Sequence, residues 1–221
     1  MNRFAMVIFV LLIALLGGCS EDSLLDSENA ELKENPDIVS AEDFNLYKSA
    51  DFHATYHLYY EDDPMIKMTM KPMLAENGYL QYELNYRDSA MTRRIHAYHA
   101  SDAGYSINYG IEVGRGEQPD PIIPFPAQEG ELFLSFPASL GKEWTVEGDG
   151  WEVFYEITDM NATVQTSFQT FTNAIVVESY DPDYDEQIQS YIVNGYGVVY
   201  EKFTYFDDTT QIIELADITF K

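Results

Sequence analysis

Basic residues are scarce in this chain: 12 Lys and Arg stand against 38 Asp and Glu, a formal net charge of −26. Nucleic acid is excluded as a partner on that count, because phosphate binding needs a basic face. Anionic headgroups and anionic polymers are repelled; cations and basic proteins are attracted. An acidic surface of this kind also keeps an extracellular domain soluble in a salty or alkaline medium. Cysteine is scarcer still. Cys19 is the only one, so no disulfide forms within the chain and no cysteine-based metal site exists. Catalytic motifs are missing too. There is no Gly-x-Ser-x-Gly elbow, and Gly114-Arg115-Gly116 lacks the rest of a phosphate loop. No glycosidase-like pair stands out among the 38 acids. No catalytic residue and no cofactor is therefore expected, and a hydrolase is a distant reading.

The longest apolar run, Phe4 to Leu16, is 13 residues, short of the about 20 that a membrane-spanning helix needs. It follows Arg3 and precedes Leu16-Gly17-Gly18-Cys19. A positive start, a short apolar run and small residues before a cut describe a cleaved signal peptide, residues 1–18. The last four residues look like the bacterial lipobox, in which the cysteine thiol accepts a diacylglycerol. The expectation is a lipidated, palmitate-type Cys19, anchored outside the cytoplasm at a bacterial membrane, either the outer face of the cell membrane or the outer membrane. Two or more acyl chains give stable anchoring at about 0.8 kcal/mol per buried methylene. An ordinary secretory signal with an incidental cysteine is the plainer alternative.

Residues 20–43 hold nine acids against one base, Lys33, and no aromatic residue. Such a stretch buries little apolar surface, so residues 19–43 read as a lipidated cysteine and a disordered acidic tether. From Phe44 to Lys221 tyrosine and phenylalanine recur, with alternation at period two, the mark of half-buried strands. Leu80, Tyr82, Leu84 and Tyr86 oppose Gln81, Glu83 and Asn85. Ile66, Met68 and Met70 oppose Lys67, Thr69 and Lys71. Trp151, Val153, Tyr155 and Ile157 oppose Glu152 and Glu156, and Tyr105, Ile107, Tyr109, Ile111 and Val113 share a face. Asn77-Gly78, Asp149-Gly150 and Asn194-Gly195 sit between such runs and suit type I′ hairpin turns. Residues 187–220 read as a three-strand meander. The fold class expected is all-β: an antiparallel meander forming a curved sheet, half-barrel or barrel-like domain with little helix. Four prolines between 119 and 126 mark a connector over 117–130, since proline cannot donate to a ladder. One domain is expected, with that connector a candidate divider of two subdomains.

Three segments carry a resemblance: Phe136-Pro137-Ala138-Ser139-Leu140-Gly141-Lys142-Glu143-Trp144, then Thr170-Phe171-Thr172-Asn173-Ala174-Ile175-Val176-Val177-Glu178, then Gly195-Tyr196-Gly197-Val198-Val199-Tyr200-Glu201. In this order the chain resembles a loose group of uncharacterised bacterial lipoproteins. The resemblance lies between residues 136 and 201, and Gln169 stands where that group has glycine. It implies an antiparallel β fold and an extracytoplasmic location, and no activity.

Metal-ligating residue types occur in three places, each with a plainer surface role. His53 and His57 share a strand face, whereas His96 and His99 fall on opposite faces, so surface histidines are the better reading. Asp181, Asp183, Asp185 and Glu186 crowd one loop and form a weak calcium candidate; a solvated acidic loop accounts for them more simply, and no metal is expected. Seventeen tyrosines and eight methionines suit either a filled core or an apolar cavity. Cavity candidates are Met68, Met70, Leu80, Tyr82 and Leu84. The function expected is a non-catalytic binding or structural role in the cell envelope. The alternative is a carrier or chaperone for an amphiphilic or apolar ligand.

Overall fold

Strand alternation governs the backbone. From Phe52 to Tyr60 the side chains at 52, 54, 56 and 58 are buried while their neighbours reach outward. The structure, a computed structural model, describes residues 38–61, 65–76, 79–86, 91–108, 112–114, 130–148 and 150–221. These contain fifteen strands and no helix. In chain order they are β1 (Ile38–Val39), β2 (Phe52–Tyr60), β3 (Ile66–Glu76), β4 (Tyr79–Tyr86) and β5 (Met91–Ser101). Next come β6 (Gly104–Asn108), β7 (Glu112–Gly114), β8 (Glu131–Ser135), β9 (Ala138–Ser139) and β10 (Glu143–Glu147). The last are β11 (Glu152–Gln165), β12 (Thr170–Asp181), β13 (Glu186–Val193), β14 (Gly197–Thr204) and β15 (Thr210–Phe220).

Thirteen of these strands form one antiparallel sheet in the order β10-β11-β12-β13-β14-β15-β2-β3-β4-β5-β6-β8, with β7 beside β5. The C-terminal strand pairs with the first long strand over its length, from Phe220↔Phe52 to Gln211↔Tyr60. One sheet thus runs through both halves of the sequence. Residues 115–129, which hold the prolines, lie outside the described residues. Register shifts interrupt β11–β12 at three places, between Ile157 and Val164. Such irregularities bend a strand and raise its twist, which lets a long sheet curl on itself.

The curl brings its two ends together without a ladder between them. The Trp144 indole N–H on β10 donates to the Leu132 carbonyl on β8 at 2.7 Å. The Tyr155 hydroxyl on β11 bonds the Glu131 carboxylate on β8. The result is a curved sheet that stops short of a closed barrel.

Inside lies a single apolar cluster. Phe52, Leu134, Ile157, Ile192, Val199 and Leu215 are its largest fully buried members among the described residues. One end is covered by a strap, residues 38–48. β1 pairs with β9 through Ile38↔Ser139 and Val39↔Ala138. Phe44 and Leu46 are buried, Phe44 against Tyr105 and Phe136. The Asn45 and Gly195 amides each find a partner across the gap, Asn194 Oδ1 at 3.0 Å and Asn45 O at 2.6 Å. Asn194 donates to Asp43 O at 3.1 Å. The tether boundary read at residue 43 is therefore corrected: residues 38–43 belong to the folded domain, because Ile38 and Val39 add a strand and Asp43 anchors the 194–195 turn.

That turn also departs from the type I′ expectation. Gly195 alone takes positive φ, 82°, and Tyr196 N–H closes it on Val193 O at 2.9 Å. Positive φ at the third position alone belongs to a type II geometry. Asn77-Gly78 lies outside the described residues. Trp151, expected to face inward, precedes β11 and is 40% exposed. It covers Gly148, where a Cβ would fall 2.0 Å from the indole.

Candidate functional site

The outward face of β10–β14 carries a groove of about 790 Å³. Pairing aligns its lining in two rows that cross the strands. One row is Thr145, Phe154, Tyr180, Gln187 and Thr204; the other is Glu143, Glu156, Glu178, Gln189 and Lys202. The interleaved Trp144, Tyr155, Ser179 and Ile188 complete the floor.

The first row is partly aromatic. Phe154 and Tyr180 sit directly opposite each other on neighbouring strands and are 42% and 36% exposed. A phenylalanine on the water-facing side of a strand otherwise carrying Glu152 and Glu156 leaves apolar area uncovered. The Tyr180 hydroxyl donates to Asp185 at 3.1 Å, and this bond is the main cause raising its pKa above the ordinary tyrosine range. The second row is acidic at one end: Glu143 faces Glu156, and Glu156 faces Glu178. Glu147 faces Glu152 beyond them. Like charges directly opposite across strands destabilise a sheet. Among the described residues Glu143 and Glu156 make no ion pair, while Glu178 accepts from Gln189 Nε2 at 2.9 Å. Lys202 closes the row at the far end.

The inward face behind this groove is polar as well. The Ser190 hydroxyl donates to Glu201 at 3.0 Å. Burial raises the pKa values of Glu201, Glu131 and Glu186, and neighbouring acids push the same way. Ser190 and Tyr155, by bonding the charged forms, pull Glu201 and Glu131 partly back. Tyr56 donates to Val198 O at 3.3 Å, and burial pushes its hydroxyl well above the ordinary tyrosine range. The interior therefore grades from apolar at the strap to acidic at the opposite end.

The fold has known counterparts. An exported protein with a YmcC-like fold from Bacteroides fragilis superposes with a TM-score of 0.50 at 13% identity, covering 80% of this chain and 99% of its own. A lipoprotein from Parabacteroides distasonis gives 0.44 at 8% identity, covering 80% and 99%. An outer membrane lipoprotein-sorting protein domain from Vibrio parahaemolyticus gives 0.31 at 10% identity, covering 80% and 88%. The first of these shows a shared fold. No protein-family model matches the chain, and no curated protein does.

The residues singled out as a cavity wall are placed unevenly. Met68 and Met70 are 5% and 3% exposed within the central cluster, and Leu80 packs against it. The Tyr47 hydroxyl reaches the Met70 sulfur at 3.8 Å. The side chains of Tyr82 and Leu84 lie outside the described residues, as does Cys19. In the acidic loop, Asp181 accepts the Asp183 and Tyr184 amides at 2.9 and 3.3 Å. Its carboxylate thus fixes its own hairpin turn, and no group of three or more ligating side chains forms among the described residues. His53 and His57 share the outer face of β2. His57 lies 3.4 Å from the Tyr59 hydroxyl, which donates to Glu214 at 3.0 Å.

The groove escaped the sequence reading, although a signal for it was there. Phe154 is out of phase with Val153, Tyr155 and Ile157, so it cannot share their buried face. Its opposition to Tyr180, and that of Glu156 to Glu178, depends on a register that alternation alone does not fix.

Proposed function

We propose that this chain is a non-catalytic binding domain of the bacterial envelope, held outside the cytoplasm by a lipid on Cys19, and that the groove on β10–β14 is its binding surface. The observation that carries the reading is the exposed Phe154–Tyr180 pair on the outer face of the sheet. A carrier for an apolar ligand would keep its apolar residues around an empty cavity, whereas Met68 and Met70 pack into the core. The counterpart from Bacteroides fragilis is described as exported, which agrees with the signal-peptide and lipobox features of residues 1–19.

The groove is tested in living cells with a photo-crosslinking residue at position 154 and, as a control, at the exposed Thr219. Position 154 should give a discrete adduct absent at 219. Adducts at neither position, or equally at both, would overturn the reading. The anchor is tested by fatty-acid labelling, which Cys19→Ser should abolish.

A further inference from the structure

We infer that the groove takes an extended, cationic segment of a partner protein in which basic and apolar side chains alternate. This rests on the reading of the groove as a binding surface and names what fills it. Five strands at about 4.8 Å spacing make the groove about 19 Å long, the reach of about six extended residues. Its two rows differ in chemistry along that length. One presents Phe154 and Tyr180; the other presents Glu143, Glu156 and Glu178. An extended chain projects successive side chains to opposite sides, so alternating basic and apolar residues meet the acidic and aromatic rows together.

The glutamates support a cation specifically. Three acids placed side by side across three strands repel one another in the free protein; among the described residues Glu143 and Glu156 make no ion pair, and Glu178 accepts from the neutral Gln189 amide. An ammonium or guanidinium group between them removes that repulsion and forms charge-assisted hydrogen bonds. A neutral sugar could stack on Phe154 and Tyr180, but it would leave the acids opposed. Lys202 at the far end of the acidic row sets a direction: basic residues belong over β10–β12 and not over β14.

The test is calorimetric titration of the full chain, purified in detergent, with a capped six-residue peptide alternating lysine and leucine. Saturable binding is expected, weakened about tenfold or more by Glu156→Gln with Glu178→Gln and by Phe154→Ala. The glutamine pair should unfold at a temperature no lower than the parent, since it relieves like-charge contacts. Asp102→Asn with Asp217→Asn removes the same charge from exposed positions outside the groove and should leave binding unchanged. Equal weakening by both pairs would mean general attraction to an acidic protein and overturn the inference. Binding of a neutral chitin-derived hexasaccharide, lost in Phe154→Ala, with no peptide binding, would overturn the partner and leave the groove reading standing. Binding of neither probe would overturn the inference too, and the in-cell adduct at position 154 would then decide the groove reading separately.

Discussion

Trp144 ties β10 to β8 by one hydrogen bond from a ring that also stacks on Tyr155, 5.1 Å away and within 5° of parallel. The two contributions can be separated. Trp144→Phe keeps an aromatic face but removes the N–H, leaving the half-buried Leu132 carbonyl without that donor. A loss of about 1 kcal/mol is expected, read from the urea midpoint at unchanged slope. A change below a few tenths would show that the Tyr155–Glu131 bond and apolar packing hold the seam without it. Single residues were unevenly legible in the sequence. Buried positions such as Val153, Tyr155 and Ile157 follow from period two. The role of Trp144 does not, because Leu132 lies on a strand that meets β10 only through the curl of the whole sheet.

Among the elements, the strap shows how composition can hide structure. Nine acids over residues 20–43 outweigh Ile38 and Val39, yet those two residues suffice for a short strand against Ala138 and Ser139. What fixes the rest is apolar: Phe44 and Leu46 enter the core, and Tyr47 stacks on Phe52 at 4.4 Å. Gly197 lets Tyr47 approach. Its φ is 75°, and a Cβ there would lie 2.5 Å from the tyrosine ring. Phe44→Ala should therefore cost about 3 kcal/mol, the low end for a buried phenylalanine. Chemical denaturation of the full chain measures it. A loss under 1 kcal/mol would mean that the strap rests on the domain without contributing to it. The β10–β11 hairpin and the β13–β14–β15 meander were legible from strand lengths and turn residues, whereas the β11–β12 and β12–β13 hairpins carried no such turn signal. The pairing of β15 with β2 was not, since it joins the two ends of the domain and no local pattern records it.

At the scale of the molecule, charge decides how stability responds to pH. Burial raises the pKa values of Glu131, Glu186 and Glu201 above the ordinary carboxylate range. Between that range and their raised values the folded chain binds more protons than the unfolded one, so stability falls as pH rises through this window. Acidifying from neutrality toward pH 5 should then raise the melting temperature, contrary to the usual effect of acid on paired carboxylates. The net charge of −26 acts in the same direction, because protonation reduces self-repulsion in the compact state. His99 opposes: burial lowers its pKa, so the folded chain resists protonating it as pH drops below 6.5. Three carboxylates against one histidine set the expected sign. Asp207 limits the gain from below, since its bonds to Thr209 hold its pKa down and its contribution is lost in stronger acid. Salt separates the causes. It screens exposed repulsion and should raise the melting temperature at pH 7.5, but it reaches buried carboxylates less. Glu131→Gln with Glu201→Gln keeps an oxygen for the Tyr155 and Ser190 hydroxyls while removing the charge. That variant should melt higher than the parent at pH 7.5 and show a flatter profile down to pH 5, in high salt as in low. A parent whose melting temperature falls steadily from pH 7.5 to 5 would show that the interior acids are paired well enough to prefer their charged forms.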